Sequence, residues 1–388
     1  MTFARVTTPV IAALFLLTTP LLRAQSGHAV FDLGTFGGSS SYATGLNASG
    51  QITGYSFVTD DEAQNAFVVG GHDAARNLGT LGGVHSYGYA INPSGRVAGA
   101  SNVGNGAFHA FLSAGNGGAM ADLGTLGGTN SYAYGVDGIG RVVGYSQTAG
   151  NAATLAFISG SNGGALRSLG TLTGGASSWA FGINRSGQVT GYSGTSSGFN
   201  HAFISGVNGG ALRDLGTLGG RLSFGLALNN YGQVTGRAET ANGQTHAFLS
   251  GVDGGPLQDL GTLGGLSSFG QAVNDLGWVT GSSYLSDNSS QRAFLYTAAT
   301  GMIDLNTLLP VSSGWILTEG RGINDNGQIV GVGVIAGQTH GFLLTPQSLT
   351  NPIGGLGHIT VVPEPGAISL LVGGAGLLLV WRGRRAKT

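Results

Sequence analysis

The fold of this chain is decided by a recurring stretch, clearest over residues 122–167: DLGTLGGTNSYAYGVDGIGRVVGYSQTAGNAATLAFISGSNGGALR. Its opening string returns with small changes along most of the chain. The seven copies begin at Asp32, Asn77, Asp122, Ser168, Asp214, Asp259 and Asp304. The intervals are 45, 45, 46, 46, 45 and 45 residues, so the sequence predicts one supersecondary unit that occurs seven times.

Each unit contains four short strand-like runs. The first two flank a turn of the form N-x-x-G, whose Gly adopts a positive φ at low cost, so we expect an antiparallel hairpin with a bulge. The third run contains AF or GF, and the fourth ends at the DLGT string. Four strands in about 45 residues is the content of one β-propeller blade.

The phase of the repeat also carries information. The repeats open with a lone fourth strand at residues 29–34, which contains the start of the first DLGT, and the last unit supplies only three strands, within residues 318–344. Pairing them would complete a seventh sheet. The sequence therefore predicts an all-β fold, a seven-bladed β-propeller of four-stranded blades over residues 28–345, closed by an N-terminal strand. A β-solenoid or another all-β arrangement is the alternative.

The first strand of each unit alternates large and small side chains. Side chains alternate between the two faces of a strand, so Tyr42, Thr44 and Leu46 should share one face. The opposite face would hold Ala43, Gly45 and Asn47, and would receive the bulky face of a neighbouring blade. In the seventh unit Glu319 takes the aromatic place and Arg321 follows it, so this blade departs from the pattern.

This repeat resembles the HAF repeat of exported bacterial proteins. The resemblance rests on HAF at His109, His201 and His246, on DLGTLGG, and on the pattern IN-x-x-G-Q-V at residues 183–189. It covers roughly residues 28–345. It implies an exported repeat module and brings no activity with it.

The N-terminal segment predicts export. Residues 1–24 contain Arg5, an apolar run at residues 10–17 and a small residue, Ala24, which together are typical of a secretory signal peptide. A buried first helix is the alternative, and Pro9 and Pro20 disfavour it. We expect the mature chain to begin near Gln25.

The C-terminal segment predicts a membrane-active tail after a linker at residues 346–361. An apolar stretch at residues 366–381 would form a single helix about 24 Å long, which is marginal for a hydrocarbon core of about 30 Å. The basic residues beyond it would stay cytoplasmic, placing the repeats outside. The flanking residues of this tail are Pro363, Glu364, Pro365, Arg382, Arg384, Arg385 and Lys387.

Residues 362–388 resemble the PEP-CTERM sorting signal of Gram-negative bacteria, in which Pro-Glu-Pro, an apolar helix and an Arg-rich end follow one another. The resemblance implies that an exosortase-type transpeptidase recognises and removes the tail, often in species that make exopolysaccharide. A permanent single-span anchor is the alternative.

Composition excludes several kinds of chemistry. The chain has 388 residues, 75 of them Gly, no Cys, and 16 basic against 17 acidic residues. Disulfides and thiolate sites are therefore absent, and the scattered Arg residues form no basic stripe, so we expect no nucleic-acid partner. We also expect no cofactor.

The repeated polar residues predict structure more than catalysis. His109, His201, His246 and His340 occupy one position in different units, so they would be spread around a ring and not meet at one metal. The position that begins DLGT accepts Asp, Asn or Ser, which favours a hydrogen bond at a turn or strand end. We predict no metal site and no catalytic residues.

The loops between the second and third strands vary most, and variable loops on repeats often carry binding. We predict a ligand-binding face there, with Tyr rings at the ends of the second strands as stacking platforms and an acidic cluster in the first loop. The alternative is that the Tyr rings fill gaps between blades. The candidate residues are Tyr55, Tyr145, Tyr192, Asp60, Asp61 and Glu62.

These observations predict an exported, non-catalytic binding or structural protein of the cell surface or extracellular matrix, with a polysaccharide or surface protein as partner. A propeller hydrolase or lyase acting on polysaccharide is the main alternative, and it would need charged groups such as Glu319 and Arg321 to face an open channel. Surface adhesion or ice binding is a weaker alternative.

Overall fold

The computed structural model describes residues 27–70 and 75–347. The predicted signal peptide, the apolar C-terminal helix and the sorting residues lie outside these ranges. Within them no helix is long and apolar enough to cross a membrane. The described chain is all-β, apart from short 3-10 turns, which span Thr59–Asp61, Gly115–Gly117, Ala149–Asn151, Ser161–Gly163, Val252–Gly254 and Leu305–Leu308.

The strands pair in antiparallel groups of four that follow chain order. Sheet I contains β2 Gly37–Leu46, β3 Ile52–Val58, β4 Gln64–Val69 and β5 Arg76–Asn77. Sheet II contains β6 Gly82–Ile91, β7 Val97–Val103, β8 Phe108–Ser113 and β9 Met120–Asp122. Sheet III contains β10 Gly127–Val136, β11 Val142–Thr148, β12 Thr154–Ser159 and β13 Leu166–Gly170.

The remaining strands repeat this arrangement. Sheet IV contains β14 Ser178–Ile183, β15 Val189–Gly194, β16 Asn200–Ser205 and β17 Leu212–Asp214. Sheet V contains β18 Gly219–Leu228, β19 Val234–Thr240, β20 Thr245–Ser250 and β21 Leu257–Asp259. Sheet VI contains β22 Gly264–Val273, β23 Val279–Leu285, β24 Gln291–Thr297 and β25 Gly301–Asp304. One parallel residue pair, Thr245 with Ser267, joins sheets V and VI.

Sheet VII is built from both ends of the described chain. Its last three strands are β26 Trp315–Ile323, β27 Ile329–Ile335 and β28 Gln338–Pro346, and its outer strand is β1 His28–Asp32. β1 pairs antiparallel with β28, from His28 opposite Pro346 to Asp32 opposite Phe342. The N-terminal strand thus occupies the place that the fourth strand of the unit takes in the other sheets.

The third strands carry the core. Their repeated Phe residues are at most 3% exposed; they are Phe67, Phe111, Phe157, Phe203, Phe248, Phe294 and Phe342. In sheet I the Phe67 ring packs against Gly54 of the second strand. A Cβ at Gly54 would lie 2.9 Å from that ring and would overlap the Tyr42 carbonyl oxygen, so a side chain is excluded there.

The predicted alternation along the first strand holds up to Ala43 and is wrong beyond it. Ala43 packs with Val330 and Leu343 of sheet VII, as expected for the small face. A β-bulge then separates Ala43 from Gly45, because their partners Gly54 and Thr53 are adjacent. Gly45 therefore faces sheet II, where a Cβ would lie 3.2 Å from the Tyr89 carbonyl oxygen, and Leu46 turns towards sheet VII.

Candidate functional site

The first strands of all seven sheets surround a central cavity of about 510 Å³. The position two residues after the aromatic place of each first strand contributes one lining residue per sheet. These residues are Thr44, Tyr89, Tyr134, Phe181, Leu226, Gln271 and Arg321. The residue just before each of them is always Ala or Gly, so the framework is constant while the lining differs from sheet to sheet.

An aliphatic belt separates this first cavity from a second one of about 280 Å³. The belt consists of residues that line both cavities, namely Leu46, Ile91, Val136, Ile183, Leu228 and Ile323. They stand just beyond the bulge of each first strand. The second cavity is lined by the turns between first and second strands.

Those turns are linked by buried Asn side chains. In six sheets the Asn of N-x-x-G donates from Nδ2 to the backbone carbonyl of the equivalent residue in the next sheet, at 3.0–3.2 Å. Sheet III has Asp137 instead, which cannot donate. Arg141 pairs with Asp137 at 2.6 Å and donates to the Arg185 carbonyl, so the link to sheet IV is kept by another donor.

One side of the first cavity carries an ion pair. Arg321 donates from Nε and Nη2 to Glu319 Oε2 at 3.0 and 2.8 Å, and Gln271 Nε2 donates to Glu319 Oε1 at 3.0 Å. Burial acts to lower the pKa of Arg321, but the adjacent Glu319 carboxylate outweighs it and leaves that pKa above its usual value. Arg321 therefore stays charged and is paired with the Glu319 carboxylate.

The other side of the cavity is lined by Tyr89, Tyr134 and Phe181, and the two Tyr rings belong to a larger aromatic array. Successive ring centroids lie 4.6–6.4 Å apart in an array that crosses five sheets. This aromatic array consists of Tyr42, Tyr55, Tyr87, Tyr89, Tyr134, Tyr145, Trp179, Tyr192 and Phe224. Arg237 continues it by lying over both Phe224 and Phe269, and Arg321 lies 5.7 Å from the Tyr42 centroid.

The candidate platforms Tyr55, Tyr145 and Tyr192 belong to this array. They lie in the middle of β3, β11 and β15, so the prediction that they end the second strands is wrong; each strand continues for two or three more residues. Tyr55, for example, stacks on Tyr42 at 4.8 Å and meets the edge of Tyr87 at 5.0 Å. This packing between sheets favours the alternative stated above, and a role in ligand binding stays a prediction.

Burial sets the ionisation of the phenols. It raises the pKa of Tyr89, Tyr134 and Tyr145 well above the usual 10.0, and neighbouring phenols raise it further. Burial also raises the pKa of Tyr55, although nearby Arg321 opposes the effect. Tyr89, Tyr134 and Tyr145 therefore present neutral hydroxyl groups.

The predicted acidic cluster lies apart from these rings, exposed in the loop after β3. Asp60 and Asp61 have positive φ values of 64° and 56°. Asp61 Oδ1 accepts from the Ser39 amide at 2.7 Å, which fastens this loop to β2. The structure places Glu62 beside them as an exposed side chain.

The repeated His and Asp, for which the sequence predicted structural roles at a strand start and a turn, pair with each other, and that partner was not predicted. His Nδ1 lies 2.8–2.9 Å from the carboxylate of the DLGT Asp in four sheets: His109 with Asp122, His201 with Asp214, His246 with Asp259, and His340 with Asp32. The same Asp accepts from the amide two residues on, as Asp122 does from Gly124 at 2.7 Å. The predicted hydrogen bond at a turn is thus present.

A signal for this pair was available in the sequence. Within a unit the His precedes its Asp by 13 residues. Where Asn77 or Ser168 replaces the Asp, Asn65 or Leu155 replaces the His. Within the described ranges no group of three or more His, Cys, Asp and Glu side chains is placed to hold a metal ion.

No family model matches this sequence, and no curated protein matches it either. Solved structures with a similar fold include the β-propeller domain of the Trilobed protease from Pyrococcus furiosus, at 10% identity and TM-score 0.49, covering 81% of this chain and 99% of that one. Puromycin hydrolase has 12% identity and TM-score 0.48, covering 83% and 55%.

TolB from Acinetobacter baumannii has 10% identity and TM-score 0.43, covering 66% of this chain. The chain spans 64% of the length of TolB and 30% of the length of the tricorn protease. The all-β, propeller-like fold is defined by this chain's own strand pairing.

Proposed function

We propose that the seven sheets are the blades of a closed seven-bladed propeller, with β1 completing the last blade. Two contacts between sheets I and VII support closure. The Gly341 amide donates to Ser41 Oγ at 3.0 Å, which repeats the contact of Ala66 with Ser86 between sheets I and II. Asn324 Nδ2 also donates to the Asn47 carbonyl.

In this proposal the protein is exported through residues 1–24 and sorted through residues 362–388. An exosortase-type transpeptidase recognises Pro363, Glu364 and Pro365 together with the basic end. The propeller then functions at the cell surface or in the extracellular matrix, after transient or permanent anchoring by the C-terminal segment.

The role proposed for the propeller is binding, with exopolysaccharide or a surface protein as partner. The supporting observation is the lining of the first cavity: framework positions repeat in all seven units, whereas the lining position holds residues as different as Phe181, Gln271 and Arg321. If these side chains only filled the space between the sheets, the same residue could occupy the lining position in every unit. Ligand cavities commonly measure about 300–1,000 Å³, and this cavity falls within that range.

An enzyme acting on polysaccharide is the second candidate, because Glu319 and Arg321 do face the cavity beside Gln271 and Tyr55. Glycoside hydrolysis generally uses two carboxyl groups. Among the described residues that line this cavity Glu319 is the only carboxylate, and three N–H groups of Arg321 and Gln271 already donate to it. Binding is therefore the better-supported function.

The test is to purify the protein as its host exports it and to screen it on a glycan array that includes the host's exopolysaccharide. Selective, saturable retention is expected. A folded protein that retains no glycan, and that releases no reducing ends from the same polysaccharides, would leave only a spacer or protein-binding role.

A further inference from the structure

The first cavity has a lining whose chemistry differs from one side to the other. Sheets II to IV contribute Tyr89, Tyr134 and Phe181, while sheets VI and VII contribute Gln271, Glu319 and Arg321. Leu226 of sheet V stands between the two sides. A ligand that fills this space meets aromatic rings on one side and fixed hydrogen-bonding groups on the other.

The polar side carries no net charge. Both Glu319 oxygens accept N–H groups, and the Arg321 guanidinium is paired with that carboxylate. An anionic ligand would gain little from Arg321 and would meet the Glu319 carboxylate. A hydroxyl group suits this surface better, because it both donates and accepts hydrogen bonds.

The aromatic side disfavours a cationic ligand. A cation is best held over the face of an aromatic ring. The faces of Tyr89 and Tyr134 lie against each other, with centroids 4.6 Å apart and planes 18° from parallel, and Tyr134 also stacks with Tyr145. Their hydroxyl groups are neutral, so this side too offers uncharged donors and acceptors beside apolar ring edges.

An apolar ligand fits no better, since it would cover the remaining hydrogen-bonding capacity of Gln271 and the phenols with groups that cannot pair with them, and unpaired buried polar groups are costly. We propose that the first cavity binds an uncharged, polyhydroxylated sugar ring, a single glycosyl unit or chain end, between the Glu319–Arg321 pair and the tyrosine wall. This inference rests on the proposed binding function and names its site and ligand class.

The experiment is calorimetric titration of the exported protein with cellotriose, maltotriose and mannotriose, compared with trigalacturonate and choline. Binding of at least one neutral trisaccharide, and weaker or no binding of the charged probes, is expected. Gln271→Leu should weaken that binding about three- to tenfold, as expected for the loss of one or two hydrogen bonds. Tyr89→Phe should weaken it by a similar factor.

A second variant tests the place of binding without removing a polar group. Leu226→Trp fills the cavity and should abolish binding, whereas Leu266→Trp, at a Leu that is 53% exposed and outside the cavity lining, should leave it unchanged. Thermal unfolding would establish that each variant is folded.

The outcomes separate this inference from the proposed function. Neutral sugars that bind equally well to wild type, Gln271→Leu and Leu226→Trp would overturn the cavity as the site and leave the binding function standing. Tight binding of trigalacturonate or choline that Leu226→Trp removes would overturn the ligand class. Failure of every saccharide here and on the glycan array would overturn this inference together with the exopolysaccharide-binding part of the proposed function.

Discussion

Asn324 Nδ2 donates a hydrogen bond to the backbone carbonyl of Asn47 at 3.2 Å, although 277 residues separate them in the chain. This contact has the same form as those between sheets I and II or sheets V and VI. The interface between the last sheet and the first is thus built like an interface between consecutive units. Asn324 is 6% exposed, so its polar atoms depend on these partners.

The first prediction concerns this residue. Asn324→Ala removes the contact to Asn47 and the bonds that Oδ1 accepts from the Asn326 and Gln328 amides, so we expect a loss of about 2–3 kcal/mol in the free energy of unfolding. Asn324→Asp keeps the acceptor, but Gln328 stands where Arg141 balances Asp137, so the buried carboxylate would be unpaired and this variant should lose at least as much. Urea denaturation measures both. Exposed Asn242 is the control, and Asn324→Ala behaving like Asn242→Ala would refute the role.

The second prediction concerns closure by β1. The Phe31 side chain packs against a buried cluster that includes Ala43 of β2 and Val330 and Leu343 of sheet VII. Phe31→Ala should reduce the free energy of unfolding by about 2 kcal/mol, because a partly buried ring loses its contacts and leaves a cavity. Val311→Ala, at a fully exposed position, provides the baseline. Equal denaturation midpoints for the two variants would mean that β1 is dispensable.

The third prediction concerns the repeated pair of His246 with Asp259. The Asp259 side chain is 42% exposed, so solvent weakens the interaction. A double-mutant cycle with His246→Asn and Asp259→Asn should give a coupling energy of about 0.5–1 kcal/mol. Arg292 and Asp304 occupy the same places in sheet VI, and within the described ranges no ion pair joins them, so a cycle there should give a coupling near zero. A larger coupling in sheet VI would contradict the assignment.

The sequence was sufficient for the all-β, propeller-like fold, because a constant period and four strand-like runs are visible in one dimension. The sequence did not predict correctly which face of the first strand Gly45 occupies, because a bulge adds a residue to that strand and reverses the direction of every side chain after it. The role of Asn47 also escaped it. The turn was predicted, but the hydrogen bond from Asn47 Nδ2 to the next sheet depends on the distance between the two sheets. The spacing of residues within one unit does not reveal that distance.

The candidate site shows the same division. The aromatic and charged positions of the first strands were identified, including the departure at Glu319 and Arg321. Their convergence around one cavity depends on how the sheets pack together, and so does the packing of Tyr145 against Tyr134 and Trp179, residues of two different sheets.

The fourth prediction concerns alkaline pH. The pKa values of Tyr89, Tyr134 and Tyr145 are raised in the folded chain above the usual 10.0, so the folded state holds these protons after the unfolded state has lost them. Their stabilising contribution is complete below pH 10 and falls as pH rises beyond it. Unfolding free energy should therefore decline above pH 10, and more gently in Tyr145→Phe. Full phenolate absorbance at pH 10 in a folded protein would contradict this.

The fifth prediction separates the two charges in the first cavity. The Glu319 and Arg321 side chains are only 21% and 26% exposed, so removing one leaves the other poorly solvated. Arg321→Met should cost about 2 kcal/mol in unfolding free energy, and adding Glu319→Gln to that variant should restore about half of the loss.

The same substitutions also test whether the cavity is an active site, because an enzyme that depends on Glu319 would lose activity on polysaccharide in Glu319→Gln alone. If the cavity is instead a binding site of balanced charge, the double variant should keep measurable affinity for neutral trisaccharides, whereas Arg321→Met should bind them more weakly. Calorimetric titration of the wild type, Arg321→Met and the double variant measures these affinities, and an activity assay of Glu319→Gln tests the enzyme hypothesis.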